Sequence, residues 1–326
     1  MTIPFVPPLE NVRYGEVEQV SPLIRRVIAE NPNKYSYRGT GTYIVGHGDV
    51  VVIDPGPALD AHRDALSRAL QGQRVRAILV THCHSDHSPL AAWLREETGA
   101  PTIAFGPHGA VAVEDEDDDE GDEDEGDDDE GGEEARDDSD VKVKESIDVA
   151  FVPDVAAGDG EVVFDVAGMP MKAVHTPGHT SNHLCFSLEA EHALFTGDHV
   201  MGWSTTVVSP PDGDMRSYIE SLAKVRGRHD RVLWPTHGNP VTDVGPFLEA
   251  YLDHRLEREH QVLTQLRMGP ATIREVVAVL YADVGKELHK AAGRSVFSHL
   301  IKLVNDGTVA VEGGEQPRLK ATYRAV

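Results

Sequence analysis

The chain has only two cysteines, Cys83 and Cys185, in 326 residues. Two thiols cannot build the disulfide framework of a small secreted domain, so a reducing compartment is expected, with the cytoplasm as the location. The first residues, Met1 to Pro8, lack a basic start and an uninterrupted apolar stretch. Neither a signal peptide nor a membrane partner is expected from them. Bases are scarce too: 30 Lys and Arg stand against 55 Asp and Glu, a formal net charge of −25. Outside the C-terminal region no lysine- or arginine-rich stretch with interleaved aromatics stands out, and polyanion affinity depends on neutralising phosphates.

That charge is unevenly spread. Residues 114–140 hold 20 acids and one base, Arg136, while the rest of the chain holds 35 acids and 29 bases. Self-repulsion and a lack of apolar residues predict a disordered, solvated insertion between Phe105 and Phe151. Exclusion of polyanions, cation buffering or partner binding would be functional readings of it; an inert insertion is the expectation. No defined calcium loop is present in its Asp and Glu repeats. The length allows one large domain and a small one.

What the chain does have is seven metal-competent residues at strand-like ends: His82, His84, Asp86, His87, His179, Asp198 and His237. Thr81-His82-Cys83-His84-Ser85-Asp86-His87 follows the apolar run Ala77-Ile78-Leu79-Val80. Thr176-Pro177-Gly178-His179-Thr180, Thr196-Gly197-Asp198-His199 and Pro235-Thr236-His237-Gly238 each follow another apolar run. Pro or Gly breaks each run where the metal-competent residue stands. Five imidazoles and two carboxylates are the ligand set of a two-metal hydrolytic centre. They suit two zinc ions, with iron or manganese as alternatives. The competing reading of the heptapeptide is an exposed polar loop or an adventitious nickel-type site.

The order HxHxDH, TPGHT, GD and a late HG resembles the metallo-β-lactamase superfamily over nearly the whole chain apart from the insertion. Thr176 to His183, Gly197 to Val207 and the C-terminal region are most similar to its lactamase-beta-like protein 2 branch. Two departures stand out. Ser88-Pro89 replaces the usual glycines, and Thr236-His237-Gly238 replaces the usual GHG. The resemblance implies His82, His84 and His179 as ligands of one metal and Asp86, His87 and His237 as ligands of the other, with Asp198 bridging. It implies a water activated between the two ions as attacking group. Asp86 and Asp198 then count as catalytic, Asp86 by orienting that water. His183 is expected at the rim as a proton donor to the leaving group, with His199 as the other candidate. Their competing readings are a satisfied strand histidine and a supporting hydrogen-bonder. Asp54, in Val51-Val52-Ile53-Asp54-Pro55-Gly56, matches the superfamily's early strand-end aspartate and reads either as support for the histidine loop or as a turn cap. Cys83 reads as a small buried filler. Trp203, with Ser204, Thr205 and Thr206, reads as a pocket wall or as core.

Hairpin signals lie at Gly46-His47-Gly48-Asp49 and at Glu189-Ala190-Glu191-His192, and a helix is expected from Pro89 to Gly99. Strand-rich halves, each followed by helices, predict an αββα sandwich over residues 1–266. A long helix is expected from Val244 to about Met268. Ile273, Val276, Val277 and Leu280, then Val296, Phe297, Leu300, Leu303 and Val304, form helical stripes. A hairpin from Thr308 to Tyr323 would follow, so residues 267–326 read as a winged-helix-like domain. That domain carries nine bases and six acids. It reads as a packing platform or dimer contact more than as a nucleic-acid reader.

The resulting reading is a dinuclear zinc hydrolase of a small acyl substrate, an ester, thioester or lactam. The alternative is an endoribonuclease acting on single-stranded RNA, favoured by the branch and the basic module but opposed by the acidic insertion. A vestigial binding module fits least, because all seven ligands are present and structural zinc sites are usually closed and cysteine-rich. Glyoxalase-II-type thioesterases share the metal set but end in a helical region instead.

Overall fold

A computed structural model describes residues 3–109, 147–166, 168–283, 285–314 and 316–326. The acidic tract of residues 114–140, and the disorder expected of it, lie outside the described residues.

The first half alternates short strands with helices: β1 (Val17–Gln19), β2 (Ile24–Ile28), β3 (Gly41–His47), β4 (Asp49–Ile53), α1 (Asp60–Ala69), β5 (Arg74–Leu79), α2 (Leu90–Thr98), β6 (Thr102–Ala104) and β7 (Val155–Ala156). These strands form one seven-stranded sheet in sequence order. β1 to β4 run antiparallel, and β5, β6 and β7 add in parallel. The second half brings β8 (Val162–Val166), β9 (Met169–His175), β10 (Leu184–Leu188), β11 (Ala193–Gly197), α3 (Met215–Arg226), β12 (Val232–Pro235) and α4 (Val244–Arg267). They build a five-stranded sheet in the order β12-β11-β10-β9-β8.

Alternation along the strands decides the layers. Val51 and Ile53 of β4 face inward, against Phe186, Leu184 and Phe195 of the other sheet. Val50 and Val52 face outward, against Leu66 of α1 and Leu94 of α2. With both faces covered, Val50-Val51-Val52-Ile53 is a continuous apolar run instead of an alternating one. On the far side, Val174, Cys185 and Leu194 meet Tyr218 and Leu222 of α3 and Phe247 and Tyr251 of α4. Full burial of each such aliphatic or aromatic chain stabilises by about 1.5–3 kcal/mol. Tyr43 crosses between the sheets and donates from its hydroxyl to Pro235 O at 2.6 Å. Burial pushes its phenol up to about 12. The chain is thus an αββα sandwich, as the strand and helix pattern led one to expect.

α2 stops at Gly99, whose φ of 70° closes the helix in the left-handed conformation. α4 runs between two cores, because its Phe247 and Tyr251 belong to the sandwich while Val262 and Leu266 pack into the C-terminal module. That module comprises β13 (Ala271–Thr272), α5 (Ile273–Leu280), α6 (His289–Asn305), β14 (Val309–Val311) and β15 (Thr322–Ala325). Thr272 and Glu275 form a capping box that starts α5. Ile273, Val276 and Val277 are buried as the stripe implied, against Val296, Phe297 and Leu300 of α6.

The wing differs from expectation in two ways. Its second strand begins at Thr322 instead of Leu319, and Ala271–Thr272 adds a third strand on β15. A two-residue strand leaves no period to detect in sequence. Among the described residues, no helix is long and apolar enough to cross a membrane.

Candidate metal centre

Five strand ends meet at one edge of the sandwich. β4 delivers Asp54, and β5 leads to His82, His84, Asp86 and His87. β9 leads to His179, β11 to Asp198 and β12 to His237. Two glycines permit the convergence. A Cβ on Gly197 (φ 51°) would lie 2.7 Å from His183 Nε2 and 2.9 Å from Thr81 Cβ. A Cβ on Gly178 (φ 135°) would lie 2.3 Å from Tyr218 Cα. Both positions are therefore closed to any side chain.

All seven predicted residues come together. His82, His84 and His179 form one set of donors, and Asp86, His87 and His237 form another, each with donor atoms within 4.8 Å of one another. In the first set, His84 Nδ1 lies 3.0 Å from His82 Nε2 and 3.2 Å from His179 Nε2. Asp198 stands between the sets. Its Oδ1 is 3.4 Å from His237 Nε2 and 3.7 Å from His87 Nε2, and its Oδ2 is 3.9 Å from His179 Nε2. Asp86 is 3.4 Å from both His87 Nε2 and His237 Nε2.

The surroundings fix which nitrogen of each ring carries its proton. His179 Nδ1 donates to Val207 O at 2.7 Å and His237 Nδ1 to Gly39 O at 3.3 Å. His87 Nδ1 donates to Asp54 Oδ2 at 2.9 Å. Thr81 Oγ1 donates to Asp54 Oδ2, so it accepts from His82 Nδ1 at 3.0 Å. In the neutral form of all four rings the Nε2 lone pair points into the centre, as metal ligation requires.

Asp54 is the hub of this support. Besides His87, it accepts from Thr81 N, Thr81 Oγ1 and Thr236 Oγ1 at 2.8, 2.8 and 3.1 Å. Its φ of 48° is left-handed, a strained conformation for a residue other than glycine. The supporting role is the one its bonds describe, and no turn cap is formed.

Buried polar atoms without partners test whether a cation fits. His87 Nε2 and Asp198 Oδ1 are both enclosed and make no hydrogen bond among the described residues. Leaving such groups unpaired costs about 1–3 kcal/mol each, more for a charged one. Donor sets of imidazole and carboxylate that meet these orphans are capable of binding metal ions.

Charge divides the centre. Burial holds His82 well below the usual imidazole range and His84 down to about 3. Burial also opposes charge on His87 and His237, but carboxylates outweigh it there. Asp86, Asp198 and Asp54 push His87 up to about 9, and Asp198 and Asp86 hold His237 well above its ordinary value. Burial works against the carboxylates too, yet His87 and His237 keep Asp86 and Asp198 below theirs.

His183 and His199 do not lie at a rim, which corrects that expectation. Both are fully enclosed. His183 Nε2 accepts from Asp198 N at 3.3 Å and its Nδ1 meets Thr176 Oγ1 at 2.9 Å, so the ring lies beneath the centre. Strand pairing explains the error, because His183 sits beside Leu184 at the start of β10 and turns into the protein. Cys83 is buried on the α1–α2 side, with Asn182 Nδ2 donating to its sulfur at 3.0 Å. Trp203 is half-buried and stacks on Tyr37 at 4.5 Å between ring centres.

Sequence reasoning missed the second circle of contacts. Thr40 Oγ1 donates to Asp86 Oδ2 at 2.9 Å. Thr206 Oγ1 donates to Asp198 O at 2.8 Å, and Thr206 N donates to Tyr251 Oη at 2.7 Å. Arg255 donates to Thr206 O. Of these residues only Thr206 stood out in the sequence, as pocket wall or core, and no signal marks Thr40, Tyr251 or Arg255.

Comparison with known proteins follows the same outline. Residues 38–237 match the Metallo-beta-lactamase superfamily, and residues 272–316 match the Beta-lactamase associated winged helix domain. An atrochrysone carboxyl ACP thioesterase from Aspergillus chevalieri is 31% identical, covering 91% of this chain and 86% of its own. A lactamase-like protein from Aspergillus niger is 29% identical, covering 94% of this chain and 88% of its own. A beta-lactamase domain protein from Burkholderia ambifaria superposes with a TM-score of 0.73 at 20% identity, covering 97% of this chain and 96% of its own. A metallo-beta-lactamase family protein from Thermus thermophilus gives 0.69 at 23% identity, covering 94% of this chain and 100% of its own. At these identities the two structures speak for the fold alone.

Proposed function

The chain belongs to the metallo-beta-lactamase superfamily of hydrolases, and from that premise we propose that it cleaves acyl thioesters at a two-metal centre, with zinc as the metal. The observation that carries this reading is the position of Asp198, whose two oxygens lie 3.4 Å and 3.9 Å from nitrogens of opposite donor sets. His82, His84 and His179 would hold one ion, and Asp86, His87 and His237 the other, with Asp198 shared. A metal pair bound there supplies Lewis acidity, which lowers the pKa of water and polarises an acyl carbonyl.

The protein's own groups do the rest. Asp86, fixed by Thr40 at one oxygen, orients the attacking water. His183 is a positioning residue that holds the Asp198 backbone N–H from below. A thiol leaving group, with an ordinary pKa near about 8.5, departs as thiolate without a proton donor. An amine or a ribose hydroxyl needs one. Burial removes both His183 and His199 from that task, which supports a thioester over a lactam or RNA. The thioesterase name of a relative 31% identical supports the same choice.

A parallel assay of zinc-loaded protein on an acyl thioester, nitrocefin, an aryl ester and labelled single-stranded RNA tests the reading. The thioester should turn over fastest, and chelation should stop it. Salt-sensitive RNA cleavage without thioester turnover would instead make the chain an endoribonuclease.

A further inference from the structure

We propose that Lys34 and Arg38, carried on a rigid loop beside the metal centre, form a subsite for a phosphate group on the thiol half of the substrate. This inference rests on the thioesterase reading above.

The loop of residues 31–40 joins β2 to β3, and the centre anchors its end. Gly39 O accepts from His237 Nδ1, and Thr40 Oγ1 donates to Asp86 Oδ2 while accepting from Asn31 Nδ2 at 2.8 Å. Arg38 is thus the chain neighbour of a residue that touches His237. Within the loop, Asn33 Oδ1 accepts from Tyr35 N and Ser36 N at 2.7 and 3.0 Å, and Ser36 Oγ donates to Asn31 O at 2.5 Å. Such local bonds hold a loop in one conformation before a ligand arrives, so little ordering cost remains.

Tyr37 gives the loop its wall. Its φ of 56° is left-handed, a conformation that costs a bulky residue about 1–2 kcal/mol. That turn lays the ring flat on Trp203, with 13° between the planes. Trp203 lies on the segment leaving Asp198, and a Cβ on Gly238 would meet its ring at 3.1 Å. The stack therefore ties together the segments that carry Asp86 support, Asp198 and His237.

Two exposed cations sit on this loop, Arg38 against the Tyr37 wall and Lys34 against its neighbour Tyr35. The Arg38 guanidinium is 5.4 Å from the Tyr37 ring centre and the Lys34 ammonium 5.0 Å from the Tyr35 ring centre. Among the described residues, no carboxylate forms an ion pair with either. Both cations thus stand without a carboxylate partner among the described residues, on the loop whose Gly39 and Thr40 touch the centre. Two charges match one phosphate group. A nucleic-acid strand bound with salt-dependent affinity draws on about 6–10 phosphate contacts, so a phosphate on a small-molecule arm fits better than RNA.

Zinc-loaded wild type, K34Q, R38Q and the double variant should be compared on an acyl-coenzyme A and on the same acyl group carried by N-acetylcysteamine. The double variant should lower the ratio of the two kcat/KM values about tenfold, through KM, with R38K restoring most of it. Rising salt should erode the wild-type ratio in the same direction. An unchanged ratio overturns the proposal. Calorimetry of 4′-phosphopantetheine against pantetheine reads the subsite without turnover. Loss of thioester hydrolysis alongside intact phosphate-dependent binding would defeat the thioesterase reading alone. Equal binding of the two ligands, or their displacement by a short RNA that binds more tightly, would defeat the phosphate subsite.

Discussion

On the side of the first sheet, His82 and His87 are steadied through one carboxylate, Asp54, with Thr81 and Thr236 gathered on the same oxygens. On the side of the second sheet, no such hub exists among the described residues. His179 leans on the Val207 carbonyl, and the Asp198 backbone is held by Thr206, which Tyr251 and Arg255 of α4 fix in turn. The first support lies within the strand ends that supply the ligands. The second is borrowed from a helix that also serves the C-terminal core. This difference teaches where the centre is self-sufficient and where it depends on distant packing.

Replacing Asp198 with Ala removes the group both sides share, so it should have the largest effect. Turnover should vanish and metal content fall from two ions towards one by elemental analysis; full activity in that variant would exclude the shared role. Asp54→Asn comes next, because an amide sets a donor against Thr81 N–H and its neighbours. A loss of about 2–4 kcal/mol by denaturant unfolding, with weakened metal binding, is expected. If Asp54→Asn bound both ions normally, the hub would be no more than a local brace.

Arg255→Met should act more mildly. The Thr206 carbonyl loses its donor, and a displacement of Asp198 should lower kcat by roughly tenfold while the His82 side keeps its metal. Equal metal loss from both sides would erase the distinction drawn between them.

The smallest effect should come from His62, which belongs to the first sheet's support through Thr42 Oγ1 at 2.9 Å. Burial holds this imidazole down to about 4. A folded-state value below the unfolded one means that the unfolded chain binds the extra proton. Its contribution is therefore present above about pH 6.5 and is lost as pH falls towards 4. His62→Gln, which keeps a donor but does not titrate, should flatten the stability profile in that window. A profile identical to wild type would show that His62 is not a source of acid sensitivity.

The sequence revealed one of these supports far better than the other. Asp54 ends the apolar run Val50 to Ile53, so its position at a strand end was readable, as were all seven residues of the centre. Their side chains carry the chemistry, and Pro or Gly breaks mark where each strand stops. Tyr251 and Arg255 gave no such mark, and Thr206 only that of a pocket-wall or core residue, because their roles arise from packing between segments remote in sequence. His183 misled for a related reason: it was expected at the rim as a proton donor, whereas its bonds to Asp198 N and Thr176 Oγ1 hold it beneath the centre. In the C-terminal module the helical stripes were clear, but β13 has two residues and depends wholly on its partner β15.

Anomalous diffraction from crystals of the zinc-loaded protein tests the central claim most directly. Two peaks roughly 3.5–4 Å apart should appear on opposite sides of Asp198, one among His82, His84 and His179 and the other among Asp86, His87 and His237. A single peak, or peaks away from these residues, would contradict it.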